Sequence, residues 1–312
     1  MDLVSPGVPT GPGLHRDASR KPRVVAADLD GTLLPLVLDG SQALSPATIR
    51  AVATLTRSGI TTILVTGRMF SSAARFAREL GLDGPVVTYQ GALIREVGSG
   101  QLLHHDPLPL ELAREILGWL KNQDGSEGLS INLYIDDQLY VERRTPAVDR
   151  YEALSKMKAH IVGDLLRHLD QPTTKMGVGG EPSVLDELLT GLRAHFAGRL
   201  IALKTWPFFL EITNPTATKS RALEILGARL GFRAEEVLAF GDSYNDADML
   251  AWAGTGVAMR DAPSEVKAVA DAVCEVVEED GFARYLSRQP WFVDSDPALA
   301  AELADPPDPG VP

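Results

Sequence analysis

The run Arg23 to Asp28 (RVVAAD) constrains this chain more than any other segment. It is apolar without alternation, the pattern of a strand covered on both faces in a parallel sheet, and it leads straight into Asp28-Leu29-Asp30-Gly31-Thr32. A strand of that kind needs helices above and below it, and the chain supplies them. Ser45-Pro46 reads as a helix cap with proline at the first helical position, and Ile49, Val52 and Leu55 recur at helical spacing until Gly59. Thr61 to Thr66 (TTILVT) is the next strand, Phe70 to Leu80 a helix stopped by Gly81, and Pro85 to Tyr89 (PVVTY) a third strand. The alternation resumes with a helix from Lys219 to Leu230 ended by Gly231, a strand from Val237 to Phe240 and a short helix from Asp246 to Trp252. Small strands at Gly256 to Met259 and Ala272 to Val273 follow. This order predicts an α/β fold with a doubly wound, Rossmann-like parallel sheet.

The middle of the chain has another texture. Strand-like runs at Ile131 to Ile135, Gln138 to Glu142 and Phe208 to Ile212 mix with helices near Leu110 to Leu120 and Ser183 to His195. Asp136-Asp137 is a hairpin signal, so antiparallel pairing and an inserted α+β domain are expected. The expected division is a core of 23–93 and 214–293 around an insertion of 94–213. The flanks, 1–22 and 294–312, are rich in proline and are read as disordered tails, the second of them acidic. The first lacks the apolar segment of a signal peptide. Gly177 to Gly180 (GVGG) is expected to be a turn.

Composition narrows the function classes. Acids outnumber bases 42 to 30, a net charge of -12, which argues against nucleic-acid binding, where cationic side chains must meet phosphates. With 45 % hydrophobic and 23 % charged residues the chain is globular in type. Cys274 is the single cysteine, so no disulfide can form within the chain, and no apolar run reaches the roughly 18 residues of a membrane span. A cytoplasmic protein without membrane or nucleic-acid partners is the expectation.

Four segments carry candidate chemistry. Asp28 and Asp30 leave a strand end at spacing i, i+2, where ligands of open α/β sheets bind; an ordinary surface turn would use the same residue types. Gly241-Asp242-Ser243-Tyr244-Asn245-Asp246 follows another strand on the same sheet edge, and a helix cap there is compatible with a functional role. Carboxylates gathered on one edge repel each other unless a cation joins them, and oxygen-only donors suit a hard ion, Mg²⁺ first. Thr66-Gly67-Arg68 could cradle an anion at a helix start, and Lys219 opens a later helix. The remaining conspicuous residues have plainer readings. His104-His105 is expected at the surface, Trp206-Pro207-Phe208-Phe209 in packing between domains or facing a substrate, and Cys274 in the core. Arg68 fits either a surface role or a second anionic group.

Taken together, these segments resemble the haloacid dehalogenase superfamily of phosphatases. The motifs are Asp28 to Thr32, Thr66-Gly67, Lys219, and Gly241-Asp242 with Asn245-Asp246, in the family's order. The stretches GDSYNDADML, VAMRDAPSEVKAVADAV and EEDGFARYL are similar to the Cof-type subgroup, whose larger α/β cap sits where the insertion falls. The resemblance implies Asp28 as nucleophile and Asp30 as general acid and base. It implies Mg²⁺ held by Asp28, the Asp30 carbonyl and Asp242 with support from Asp246, and phosphate held by Thr66, Gly67, Lys219 and Asn245. The implied substrate is a small phosphorylated metabolite, a sugar phosphate or a phosphorylated cofactor. A phosphomutase on the same scaffold and a catalytically silent metabolite-binding protein are the alternatives. One departure stands out: Tyr89-Gln90-Gly91-Ala92 has glutamine where the subgroup usually has asparagine.

Overall fold

A computed structural model of the chain describes residues 20–37, 41–123 and 125–304. Five strands form a parallel sheet in the order β14-β13-β12-β1-β2, with β1 at Val24–Ala27, β2 at Thr61–Leu64, β12 at Val237–Gly241, β13 at Thr255–Met259 and β14 at Ala272–Cys274. All four residues of β1 are buried, as a central strand requires. Val25 and Ala27 face the helices Pro46–Arg57 and Phe70–Glu79, while Val24 and Ala26 face Lys219–Leu230 and Ala247–Trp252. The first of these helices is capped by the Ser45 hydroxyl, which accepts from the Thr48 amide, with Pro46 at its start.

The third strand departs from the sequence expectation. β3 (Pro85–Thr88) touches the parallel sheet through one bridge, Val65 to Val87, and then pairs antiparallel with β4 (Leu93–Glu96), which pairs with β5 (Leu102–His105). These two strands, expected within the insertion from residue 94, extend the core instead. Ile94 is fully buried among Ile63, Val65 and Val87, and that contact holds the hairpin to the core.

The inserted domain is built on a six-stranded sheet in the order β10-β11-β9-β6-β7-β8. Its strands are β6 (Ser130–Ile135), β7 (Gln138–Val141), β8 (Ala159–Ile161), β9 (Lys175–Gly179), β10 (Ile201–Trp206) and β11 (Phe209–Thr213). It is antiparallel apart from the β7–β8 pair. The helices Leu110–Lys121 and Pro182–His195 pack on one face. Asp136 and Asp137, at φ 51° and 59°, make the hairpin turn between β6 and β7. The GVGG segment is no turn: Gly177 and Gly179 lie in the central strand β9. A Cβ on Gly177 would stand 2.5 Å from the Phe209 ring and one on Gly179 2.9 Å from the Ala147 methyl, so only glycine lets these neighbours cross the strand.

Within the insertion the helix Pro146–Ser155 is tied to β8 by Glu152, whose buried carboxylate accepts from Arg144, Lys158 and the Ala159 amide. Hydrogen bonding from Arg144 leads the forces that lower its pKa to about 2 from an ordinary 4.5. Because the folded-state value is depressed, the stabilisation is complete above about pH 5 and fades as pH falls through about 2. Glu152→Gln should therefore cost about 1–2 kcal/mol at pH 7, with the difference from wild type vanishing near pH 2 in urea melts.

The expectation of a disordered segment from residue 294 is corrected for the described part. Residues Pro297–Leu303 form a helix capped by Asp296, whose carboxylate accepts from the Leu299 amide at 3.0 Å and from Thr54 at 2.8 Å. Leu299 and Leu303 are buried in the core, and that burial outweighs the proline-rich, acidic composition. The expected tail at 1–22 lies outside the described residues up to 19, as does the second tail from 305. Among the described residues no helix is long and apolar enough to cross a membrane.

Candidate active site

The parallel sheet delivers three segments to the same edge. Asp28 leaves β1, and Gly31 follows in a left-handed conformation (φ 85°), where a Cβ would lie 2.3 Å from an Asp242 carboxylate oxygen. That close approach explains the glycine of the motif and lets the Thr32 hydroxyl donate to Asp242 at 3.0 Å. Thr66, Gly67 and Arg68 follow β2, and Asp242 to Asp246 follow β12. Lys219 is the first residue of its helix, which is capped by the Thr218 hydroxyl.

These segments converge. Lys219 Nζ, 1 % exposed, donates to Asp28 at 2.8 Å and to Asp246 at 2.5 Å. The second Asp246 oxygen accepts from the Asp242 and Ser243 amides at 3.1 and 3.0 Å, closing its own loop. One carboxylate oxygen each from Asp28, Asp242 and Asp246 lies within 4.8 Å of the others. Burial, opposed by Lys219 and reinforced by Asp246 and Asp30, pushes Asp28 up to about 7. Burial, then Asp246 and Asp28, also raises Asp242 far above the carboxylate range. Lys219 resists the penalty of its own burial because Asp246 and Asp28 hold its charge, and its pKa is raised. The cluster thus has room for a cation and an electrostatic reason to bind one.

Asp30 stands apart from that cluster. Its carboxylate forms a bidentate pair with Arg68, at 2.6 Å from Nε and 2.5 Å from the terminal nitrogen, and accepts from Gln42 at 2.9 Å. The sequence left Arg68 undecided; the structure places it on Asp30, fixing that carboxyl in the guanidinium plane.

A cavity of about 420 Å³ opens over these groups, with Asp28, Asp30, Thr66, Gly67, Asp242 and Asn245 on its floor. The inserted domain forms its other wall with Tyr151, Trp206, Phe208 and Phe209. Tyr151 stacks on Phe209 at 5.2 Å and Trp206 on Phe208 at 6.0 Å. The Trp-Pro-Phe-Phe segment therefore faces the cavity. The domain is seated by Asp137, which accepts from the amides of Phe70 and Ser71 at 2.9 Å each and from the Tyr89 hydroxyl at 2.7 Å. His104 is half-buried and pairs with Asp106 at 3.0 Å, and Cys274 is a buried core thiol, as read from sequence.

Residues 25–286 match the model of the haloacid dehalogenase-like hydrolase family. The chain belongs to that family. Among relatives, the 5-amino-6-(5-phospho-D-ribitylamino)uracil phosphatase YitU of Bacillus subtilis is 27 % identical over 277 residues, covering 85 % of this chain and 97 % of its own. Pyridoxal phosphate phosphatase YbhA of Escherichia coli is 29 % identical over 273 residues, 85 % of this chain and 97 % of that one. The crystal structure of a haloacid dehalogenase-like hydrolase from Bacteroides thetaiotaomicron superposes with a TM-score of 0.77 at 28 % identity, covering 86 % of this chain and 99 % of that chain. This haloacid dehalogenase-like hydrolase is an enzyme of the superfamily's phosphatase branch, of the Cof type.

Sequence reasoning missed two charged groups of this hydrolase. Lys175 and Glu211 are buried and paired beneath the cavity, and Glu211 lines it. The available signal was a glutamate between Leu210 and Ile212 in a strand-like run, where an ionised side chain needs a partner.

Proposed function

We propose that the chain is a Mg²⁺-dependent phosphatase that hydrolyses a small phosphorylated metabolite through an aspartyl-phosphate on Asp28. The observation that carries this reading is the carboxylate cluster of Asp28, Asp242 and Asp246, in which buried Lys219 pairs with Asp28 and Asp246, beside a cavity lined by Asp28 and Asp242. The donor set fits Mg²⁺: it is oxygen only, and carboxylates that burial and mutual repulsion force upward are relieved by a hard divalent ion. Asp28, Asp242 and the Asp30 carbonyl would hold the ion, with Asp246 orienting the Asp242 loop. When bound, the ion supplies positive charge that lets a phosphate dianion approach the carboxylates.

The chain's own residues then divide the work. The Thr66 hydroxyl, the Gly67 amide, Lys219 and Asn245 hold the phosphate oxygens. An Asp28 oxygen attacks phosphorus in line, the bond to the leaving oxygen breaks, and the Asp30 carboxyl donates a proton to that oxygen. Asp30 next takes a proton from water as the water attacks phosphorus, the bond to Asp28 breaks, and orthophosphate departs. Arg68 and Gln42 orient the Asp30 carboxylate in its ionised form, the one that takes the proton from water.

The aromatic wall of the cavity supports a leaving group that carries a planar ring. A panel of phosphorylated metabolites with Mg²⁺ should release orthophosphate, with kcat/KM for ring-bearing esters such as pyridoxal phosphate at least about tenfold above hexose phosphates. EDTA should abolish the release. Conversion of a hexose 1-phosphate to its 6-phosphate without orthophosphate would instead establish a mutase, and activity undiminished in EDTA would remove the metal.

A further inference from the structure

The buried pair Lys175–Glu211 has no part in the chemistry above, yet it sits where the inserted sheet meets the core. Lys175 is on β9 and Glu211 on β11. Their charged ends form an ion pair, Lys175 1 % and Glu211 8 % exposed at the side chain, and the ammonium lies 4.9 Å from the Tyr134 ring centre. Both residues reach across to the core. Lys175 Nζ donates to the Gly67 carbonyl at 3.0 Å, and the second Glu211 oxygen accepts from Gln90 Nε2 at 2.8 Å. Gln90 Oε1 in turn accepts from Asn245 Nδ2 at 3.0 Å.

The polarity of this chain follows from chemistry. An ionised carboxylate only accepts, so Gln90 must turn its NH₂ toward Glu211 and its carbonyl toward Asn245. An amide carbonyl also only accepts, so Asn245 must present one N–H to Gln90, which leaves its second N–H for the cavity it lines. Glu211 thereby decides which way two successive amides face. Lys175 performs the matching task on the other side. By holding the Gly67 carbonyl it keeps that oxygen's negative end away from the place where an anion would lie. Gly67 and Gln90 are also pressed together, since a Cβ at Gly67 would stand 2.2 Å from Gln90 Nε2.

We infer that Lys175 and Glu211 are positioning residues for phosphate, carried by the inserted domain and acting through Gly67 and through Gln90 on Asn245. The phosphate site is therefore complete only when that domain is seated on the core. The inference rests on the phosphatase reading for the role of Asn245 and Gly67, but it is judged on phosphate affinity rather than turnover.

The test uses the full chain with Mg²⁺ and orthophosphate titrated by calorimetry. Lys175→Met combined with Glu211→Leu removes both charges and leaves apolar groups of similar size, a change that buried pairs often tolerate. This variant should melt cooperatively and bind orthophosphate about 10- to 100-fold more weakly than wild type. In an Asn245→Ala background the same two substitutions should cost clearly less than in wild type, because the Gln90 arm has already lost its end and only the Lys175–Gly67 arm remains to be lost. With p-nitrophenyl phosphate, KM should rise more than kcat falls. If the charge-free variant does not fold, Gln90→Asn reads the same relay. Asparagine suits the left-handed backbone at position 90 (φ 61°) but is too short to bridge, so phosphate affinity should fall only when Asn245 is present. Wild-type affinity in a folded charge-free variant, or equal losses in both backgrounds, would overturn the inference. A wild type that binds orthophosphate but leaves phosphoesters intact overturns the phosphatase reading alone; one that binds none overturns both.

Discussion

Asp28→Asn is expected to lower turnover by at least about 10⁴-fold while the protein stays folded. The amide has nearly the size of the carboxyl but cannot form the phosphoryl bond. Stability should hold because Asp28 is 5 % exposed and already raised by burial, with Asp246 and Asp30 adding repulsion. Removing its charge loses the 2.8 Å ion pair with Lys219, but Asp246 keeps that ammonium paired at 2.5 Å. The melting temperature should therefore change little, and orthophosphate should still bind. A variant with appreciable turnover would show that Asp28 is not the nucleophile.

Lys219→Met should have the larger effect on stability. It leaves Asp28 and Asp246 buried with no cationic partner, and removing one member of such a buried pair costs about 3–5 kcal/mol. Turnover should be lost as well if, as proposed, Lys219 donates to the phosphate. Millimolar Mg²⁺ should return part of the lost stability, because the ion relieves the same repulsion, and it should stabilise the variant more than wild type. A thermal melt with and without Mg²⁺ measures both. If the variant melts like wild type, the buried triad of Lys219, Asp28 and Asp246 is not holding this sheet edge together.

The core and its site were legible because their signals are local. Each buried strand is a short apolar run closed by a polar or glycine residue, and the segments that begin at Asp28, Thr66 and Asp242 stand at the ends of such runs. Convergence of Asp28, Thr66 and Asp242 then follows from parallel topology, and Lys219 joins them from the start of its helix. What stayed hidden depends on distant partners. Gly177 and Gly179 read as a turn until the Phe209 ring and Ala147 methyl are seen against them. β4 and β5 were assigned to the wrong domain because Ile94 declares its allegiance only by packing on Ile63 and Val87. The Pro297–Leu303 helix has a cap residue and a leading proline, but its reason to fold is the buried surface it finds beside Thr54 and Arg57. Lys175 and Glu211 lie 36 positions apart in sequence and meet only because β9 pairs with β11.

The most direct test of the mechanism is to quench a single turnover with Mg²⁺ and substrate, reduce the protein with borohydride, and sequence the peptide containing position 28 by mass spectrometry. An aspartyl-phosphate is reduced at its acyl carbon, so homoserine is expected at position 28 in wild type and not in Asp28→Asn. Orthophosphate released in the same turnover, with Asp28 recovered unmodified at every quench time, would contradict the account.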